Sequence, residues 1–230
     1  MSDKILTAIK DILLKILDVM LTPAQVVKDI VVTKTYRNKA ILLNAAKELG
    51  TLEWGQGSNP KVDKYLDHGT RADNKNSGLT DNTPWCAGFI AYVLETAPGI
   101  IGTNPLENIG STNSLMARSY ERWGKKITNP VPGDIVTRYR SGITSGFGHV
   151  GFFLGWADST KSKYYCLGGN QSDSVNISIY SMTKGSSSGH SMFRRSSKHI
   201  KLTNEIKAEL WSLAKDIRDG KDISVGGSVV

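Results

Sequence analysis

The hydrophobic period of this chain changes once, near Pro132, and that change limits its architecture more than any other feature. Before Pro132, apolar residues recur every three or four positions; after it they alternate every second position. One element cannot serve both periods, because a helix places i, i+3 and i+4 on one stripe while a strand places i and i+2 on one face. The runs GDIVTRYR, HVGFFLGW, YYCLGGNQ, VNISIYSM and SMFRRSS are separated by Gly, Ser, Asp and Lys clusters at hairpin distances. The pattern predicts an α+β fold, with helices first and packed on an antiparallel five-stranded meander.

The helical part has several segments. Ile5, Ile9, Ile12, Ile16 and Met20 form the apolar stripe of a first helix over 3–21. Thr22-Pro23-Ala24-Gln25 combines an N-cap, a first-turn proline and a capping-box glutamine, which starts a second helix running to Val32. A third helix spans 38–49 and closes at Gly50. Residues 53–82 are polar and turn-rich and read as a surface loop. A helix then begins at Pro84, and another covers 111–124, capped by Ser111 or Thr112 and stopped by Gly124. The last runs from Thr203 to Asp219 and ends at Gly220 before a Gly-, Ser- and Val-containing tail. This divides the chain into an N-terminal helical extension (1–36), a central domain (37–198) and a C-terminal helix with its tail (199–230).

A net charge of +8 favours an anionic partner. Its basic residues are scattered and no basic helix is interleaved with stacking aromatics, which argues against nucleic acid. Lys10, Asp11 and Lys15 interrupt the N-terminal apolar stretch, so it reads as neither a signal peptide nor a membrane span. The expectation is synthesis in the cytoplasm, with any work outside requiring another exit. Two cysteines, Cys86 and Cys166, allow at most one disulfide and do not make a disulfide scaffold.

Cys86 lies in PWCAGFIAYVLE, just inside a helix start for which Thr83 is the expected N-cap and Pro84 the first residue. Unpaired N–H groups of a first turn and the positive end of the helix dipole stabilise a thiolate, and the same donors can hold an oxyanion. A cysteine on an apolar helix face beside Phe89, Ile90 and Val93 is also a common core residue, so a base in a matching place decides between the two. His68, His190 and His199 sit in polar connections. His149 opens the strand HVGFFLGW, where alternation puts Gly151, Phe153 and Gly155 on its face; two glycines there would let the Cys86 helix approach. A hairpin through 157–163 brings Asn170 or Gln171 opposite His149, where a side-chain amide can orient the imidazole.

Taken together, PWCAGFIAYVL, ARSYERWG, PVPGDIV, GHVGFFLG and LGGNQSDSVNI, in that order and over roughly residues 40–196, resemble the CHAP and NlpC-type branch of papain-like cysteine peptidases and amidases. The resemblance implies a papain-like fold with Cys86 as nucleophile, His149 as general base and Asn170 as the orienting group. Many CHAP members carry a glutamate where this chain has Gly168. Trp85 and Gln171 are the candidates for substrate contact, Trp85 alternatively packing the helix start. The implied substrate is bacterial peptidoglycan, cleaved at an amide of the stem or cross-link peptide, with endopeptidase ranked ahead of N-acetylmuramoyl-L-alanine amidase. No metal or cofactor is required, and both thiols are expected to be free. Action in the periplasm or cell wall would follow release through a holin or injection by a delivery apparatus, the latter with an immunity protein. An acyl-transfer or deamidating toxin acting on a protein glutamine is the alternative on the same scaffold.

Overall fold

A computed structural model of the protein describes residues 37–70, 78–97, 110–140, 146–182, 190–196 and 202–223. The two helices expected before residue 33 and the tail beyond 223 lie outside the described residues. The helical elements are α1 (37–46), α2 (Pro60–Gly69), α3 (Cys86–Thr96), a short 3-10 helix (Ala117–Arg122) and α4 (Asn204–Arg218). Strands are β1 (Lys125–Ile127), β2 (Ile135–Tyr139), β3 (Gly148–Trp156), β4 (Lys163–Gly168), β5 (Asn176–Ser181) and β6 (Ser191–Arg195). The fold is α+β, as the change of period predicts.

The sheet has six antiparallel strands in the order β1-β6-β2-β3-β4-β5, not the five of a simple meander. Strands β2 to β5 do follow one another. β6 instead crosses to the free edge of β2, pairing Arg138 with Ser191 and Ile135 with Arg194, and β1 then covers β6. This puts β3 in the interior of the sheet, and only its two end residues are partly exposed.

Each face of the sheet has its own core. Phe89, Ile90 and Val93 of α3 pack on Val150, Phe152, Leu154 and Leu167, with Phe89 and Phe152 edge to face at 6.3 Å. Ile206, Leu210, Ala214 and Ile217 of α4 join that same core, so the C-terminal helix is integral to it. On the other face Val136, Phe153, Tyr164, Cys166 and Phe193 form an aromatic cluster, closed by Trp211 at 6.0 Å from Phe153. The glycine-lined face of β3 is therefore turned away from α3. A Cβ on Gly151 would lie 2.2 Å from Cys166 Sγ, and one on Gly155 would meet Arg218 and Trp211. Close approach of α3 relies on other glycines: Gly88 against the Tyr65 carbonyl, and Gly169 against Trp85 and Phe89.

Two further expectations change. Residues 53–82 are not all loop, because α2 occupies Pro60–Gly69. The Asn59 side chain accepts from Lys61 N, Pro60 opens the first turn, and Val62, Tyr65 and Leu66 bury one stripe. The segment around 111–124 is helical only as the 3-10 turn Ala117–Arg122. α4 agrees closely with expectation: the Thr203 hydroxyl accepts from Ile206 N, and Gly220 adopts φ +66° just past its end. Among the described residues no helix is long and apolar enough to cross a membrane.

Candidate active site

Cys86 is the first residue of α3, with Trp85 at the N-cap position and no side-chain cap. The helix starts two residues later than Pro84 suggests, because Thr83 closes a turn onto the Thr80 carbonyl instead of capping. Trp85 is fully buried, packs on Tyr65 at 5.7 Å and donates its indole N–H to Glu53 Oε1 at 2.5 Å. Its role is to pack the helix start; a ring with no exposed surface does not line an open groove.

The Cys86 thiol is 4% exposed and lies against the backbone N–H of Val150, the residue after His149. Burial dominates its electrostatics and pushes its pKa up, while the N–H groups of Val150, Ala87 and Cys86 and the charge of Arg140 pull the other way. The helix-start argument alone predicts a lowered pKa; desolvation of the sulfur outweighs it.

His149 is 3% exposed, and its Nε2 lies 3.1 Å from Gln171 Oε1. The orientation of that amide follows from its other end: Gln171 Nε2 donates to the Asn176 carbonyl at 2.7 Å and to Asn176 Oδ1 at 3.0 Å. Asn176 is oriented in turn, since its Nδ2 donates to the Gln171 carbonyl and to Ser174 Oγ, and Ser178 Oγ donates to its Oδ1. With the Gln171 NH2 committed, Oε1 must accept, so His149 Nε2 carries the proton and Nδ1 carries the lone pair. Nδ1 is buried and has no hydrogen-bond partner among the described residues. Burial, with smaller contributions from Arg140 and Arg138, lowers the His149 pKa to about 4, so the ring is neutral at neutral pH.

The amide that meets the imidazole thus belongs to Gln171, not to Asn170. Asn170, Ser172 and Asp173 all have left-handed backbones, with φ of 54°, 49° and 57°, so the period-two alternation of β4 stops before it reaches them. The resulting turn faces the Gln171 side chain inward, 3% exposed, and leaves Asn170 partly exposed. Buried as it is, Gln171 holds the imidazole and presents little surface to a substrate. Gly168 lies under the pair: a Cβ there would stand 3.1 Å from Gln171 Oε1 and 3.2 Å from His149 Nε2, so a side chain at this position would press on both.

Three neighbours of His149 were not singled out from the sequence. Asn176 sits at the start of β5, Tyr180 places its ring 5.6 Å from the imidazole, and Arg138 is the direct cross-strand partner of His149. Nothing local in the chain marks them, because only the pairing of β2 with β3 and of β4 with β5 brings them here. Both cysteines are free and buried, and burial pushes the Cys166 thiol far up. Among the described residues no group of three His, Cys, Asp or Glu side chains could hold a metal ion. No protein-family model, curated protein or solved structure matches the chain.

Proposed function

We propose that the protein is a cysteine hydrolase that cleaves an amide bond in the peptide part of bacterial peptidoglycan, with Cys86 as nucleophile, His149 as base and Gln171 as the residue that orients it. The observation that carries this reading is the tautomer: Asn176 and Gln171 hold the proton on His149 Nε2 and leave the lone pair on Nδ1, while Cys86, at a helix N-terminus, lies against the N–H of Val150, the next residue along the strand. A raised thiol pKa and a lowered imidazole pKa favour a neutral resting pair. Nδ1 then takes the thiol proton as sulfur attacks the amide carbonyl, which avoids a costly buried ion pair at rest.

First-turn N–H groups stabilise the oxyanion as the C–S bond forms. Collapse breaks the C–N bond, and the imidazolium returns its proton to the leaving amine. Water, deprotonated by the same nitrogen, hydrolyses the thioester and restores the thiol. The wall substrate rests on the motif resemblance and on the net charge of +8, which suits an anionic polymer.

Digestion of purified sacculi with wild type and Cys86→Ala, with mass spectrometry of the soluble fragments, tests the reading. Release of peptide fragments by wild type alone is expected. Equal release by both proteins overturns the thiol mechanism; no release by either overturns the wall substrate and favours acyl transfer to another acceptor.

A further inference from the structure

We propose that Arg138 is a specificity residue that receives a carboxylate carried by the substrate close to the scissile amide; this rests on, and narrows, the hydrolase reading. Arg138 and His149 are directly opposite on β2 and β3, so their side chains share a face as cross-strand neighbours. Its guanidinium lies 4.5 Å from the centre of the Tyr180 ring, and that ring is the one beside the His149 imidazole. Tyrosine thus occupies one face of the guanidinium, while the in-plane N–H groups are the part that recognises a carboxylate.

Those donors are unusual here in being unused. Other partly buried arginines are satisfied: Arg195 grips Asp134, Arg118 bonds Glu121, Arg194 donates to the carbonyls of Trp123 and Gly124, and Arg218 to that of Leu154. Arg138 makes no ion pair and no hydrogen bond among the described residues, and its Nε is fully buried without a partner. A buried donor left unpaired is destabilising, and a ligand acceptor would remove that cost. Among the described residues, the charges acting on His149 are those of Arg140 and Arg138. Arg140, just past the end of β2, acts on the Cys86 thiol as well. Positive charge and the in-plane N–H groups of Arg138 therefore lie beside the base, an arrangement that a charge-assisted bidentate contact with a carboxylate completes.

The test is a titration of the intact protein, isotopically labelled in histidine, with N-acetylglutamate, with its diamide and with inorganic phosphate, following the His149 ring signals by NMR. The expected result is a saturable His149 shift with the acid and binding at least about tenfold weaker with the diamide and with phosphate. Arg138→Gln is expected to lose the response and Arg138→Lys to keep part of it, with His68 and His190 signals reporting that each variant is folded. Equal response to the diamide or to phosphate, no saturable response in wild type, or a wild-type response in Arg138→Gln each overturns the proposal. If Arg138→Gln does not fold, the acid-against-diamide comparison in wild type and the Arg138→Lys response decide. No turnover is involved, so failure here with Cys86-dependent digestion of sacculi removes only the carboxylate subsite. A specific response without digestion leaves the subsite standing and removes the hydrolase reading.

Discussion

Strand β2 has a charged side chain near each end, Asp134 buried and Arg138 half-buried, and the two are treated in opposite ways. Asp134, just before the strand, is fully buried and fully satisfied: Val131 N and Asn38 Nδ2 donate to it, and Arg195 grips both its oxygens at 2.7 and 2.5 Å. At the far end, Arg138 and its partner His149 are held in place yet leave Nε and Nδ1 buried without partners. Buried polar groups that tie a fold together are paired, since each orphan costs stability. An end that keeps two orphans forgoes stability, and on the proposed reading this is what keeps a donor and an acceptor available there.

The largest effect expected from this contrast is on activity. His149→Gln should lower sacculus digestion by about a thousandfold or more while changing unfolding free energy by under about 1 kcal/mol, measured by urea denaturation. Asp134→Ala should do the reverse at the other end, costing about 3–5 kcal/mol because it strands Arg195 and the Val131 N–H. A stability loss from His149→Gln as large as that from Asp134→Ala would erase the distinction.

The next effect is pH dependence. Folding lowers the His149 pKa from 6.5 to about 4, so between these values the unfolded chain binds more protons and stability rises with pH. The contribution is complete above about pH 6.5 and is lost as pH falls through about 4, amounting to about 3 kcal/mol. Urea titrations at pH 4 and pH 7 should show this difference in wild type and not in His149→Gln.

Gly151 lies between the two ends, on the face of the sheet that carries His149. Gly151→Ala drives a methyl into Cys166 Sγ and should cost about 2 kcal/mol, part of which Cys166→Ala recovers in the double variant. The smallest effect belongs to Asn176→Ala. Freeing the Gln171 amide to flip should lower kcat about tenfold with KM unchanged, and 15N shifts of His149 should show both neutral tautomers. A single Nε2–H tautomer in that variant would remove Asn176 from the orienting chain.

Much of the fold was legible because it depends on local chemistry. The change of period at Pro132 separated helix from strand, Thr203 and Gly220 bounded α4, and the turn after α1 closes at Gly50 with φ +84°. Asn59-Pro60 and the Val62, Tyr65 and Leu66 stripe marked α2 just as clearly, although the polar residues around them disguised it. Strand order was not legible. Whether β6 extends the meander or crosses to β2 depends on which edge buries Phe193, and no residue near β6 encodes that choice.

For the site, the sequence alone determined the chemistry available: a cysteine at a helix start, a histidine opening a central strand, and an amide-bearing turn after the next one. The tertiary structure decided which groups meet and in which state. Left-handed residues at 170, 172 and 173 break the alternation, so Gln171 takes the place beside His149 that strand periodicity leaves open to Asn170. Burial reversed the expected shift at Cys86, and cross-strand pairing alone brought Asn176, Tyr180 and Arg138 around the imidazole. Helix starts and strand periods arise from interactions a few residues long, whereas desolvation and cross-strand contact are set by segments distant in the chain.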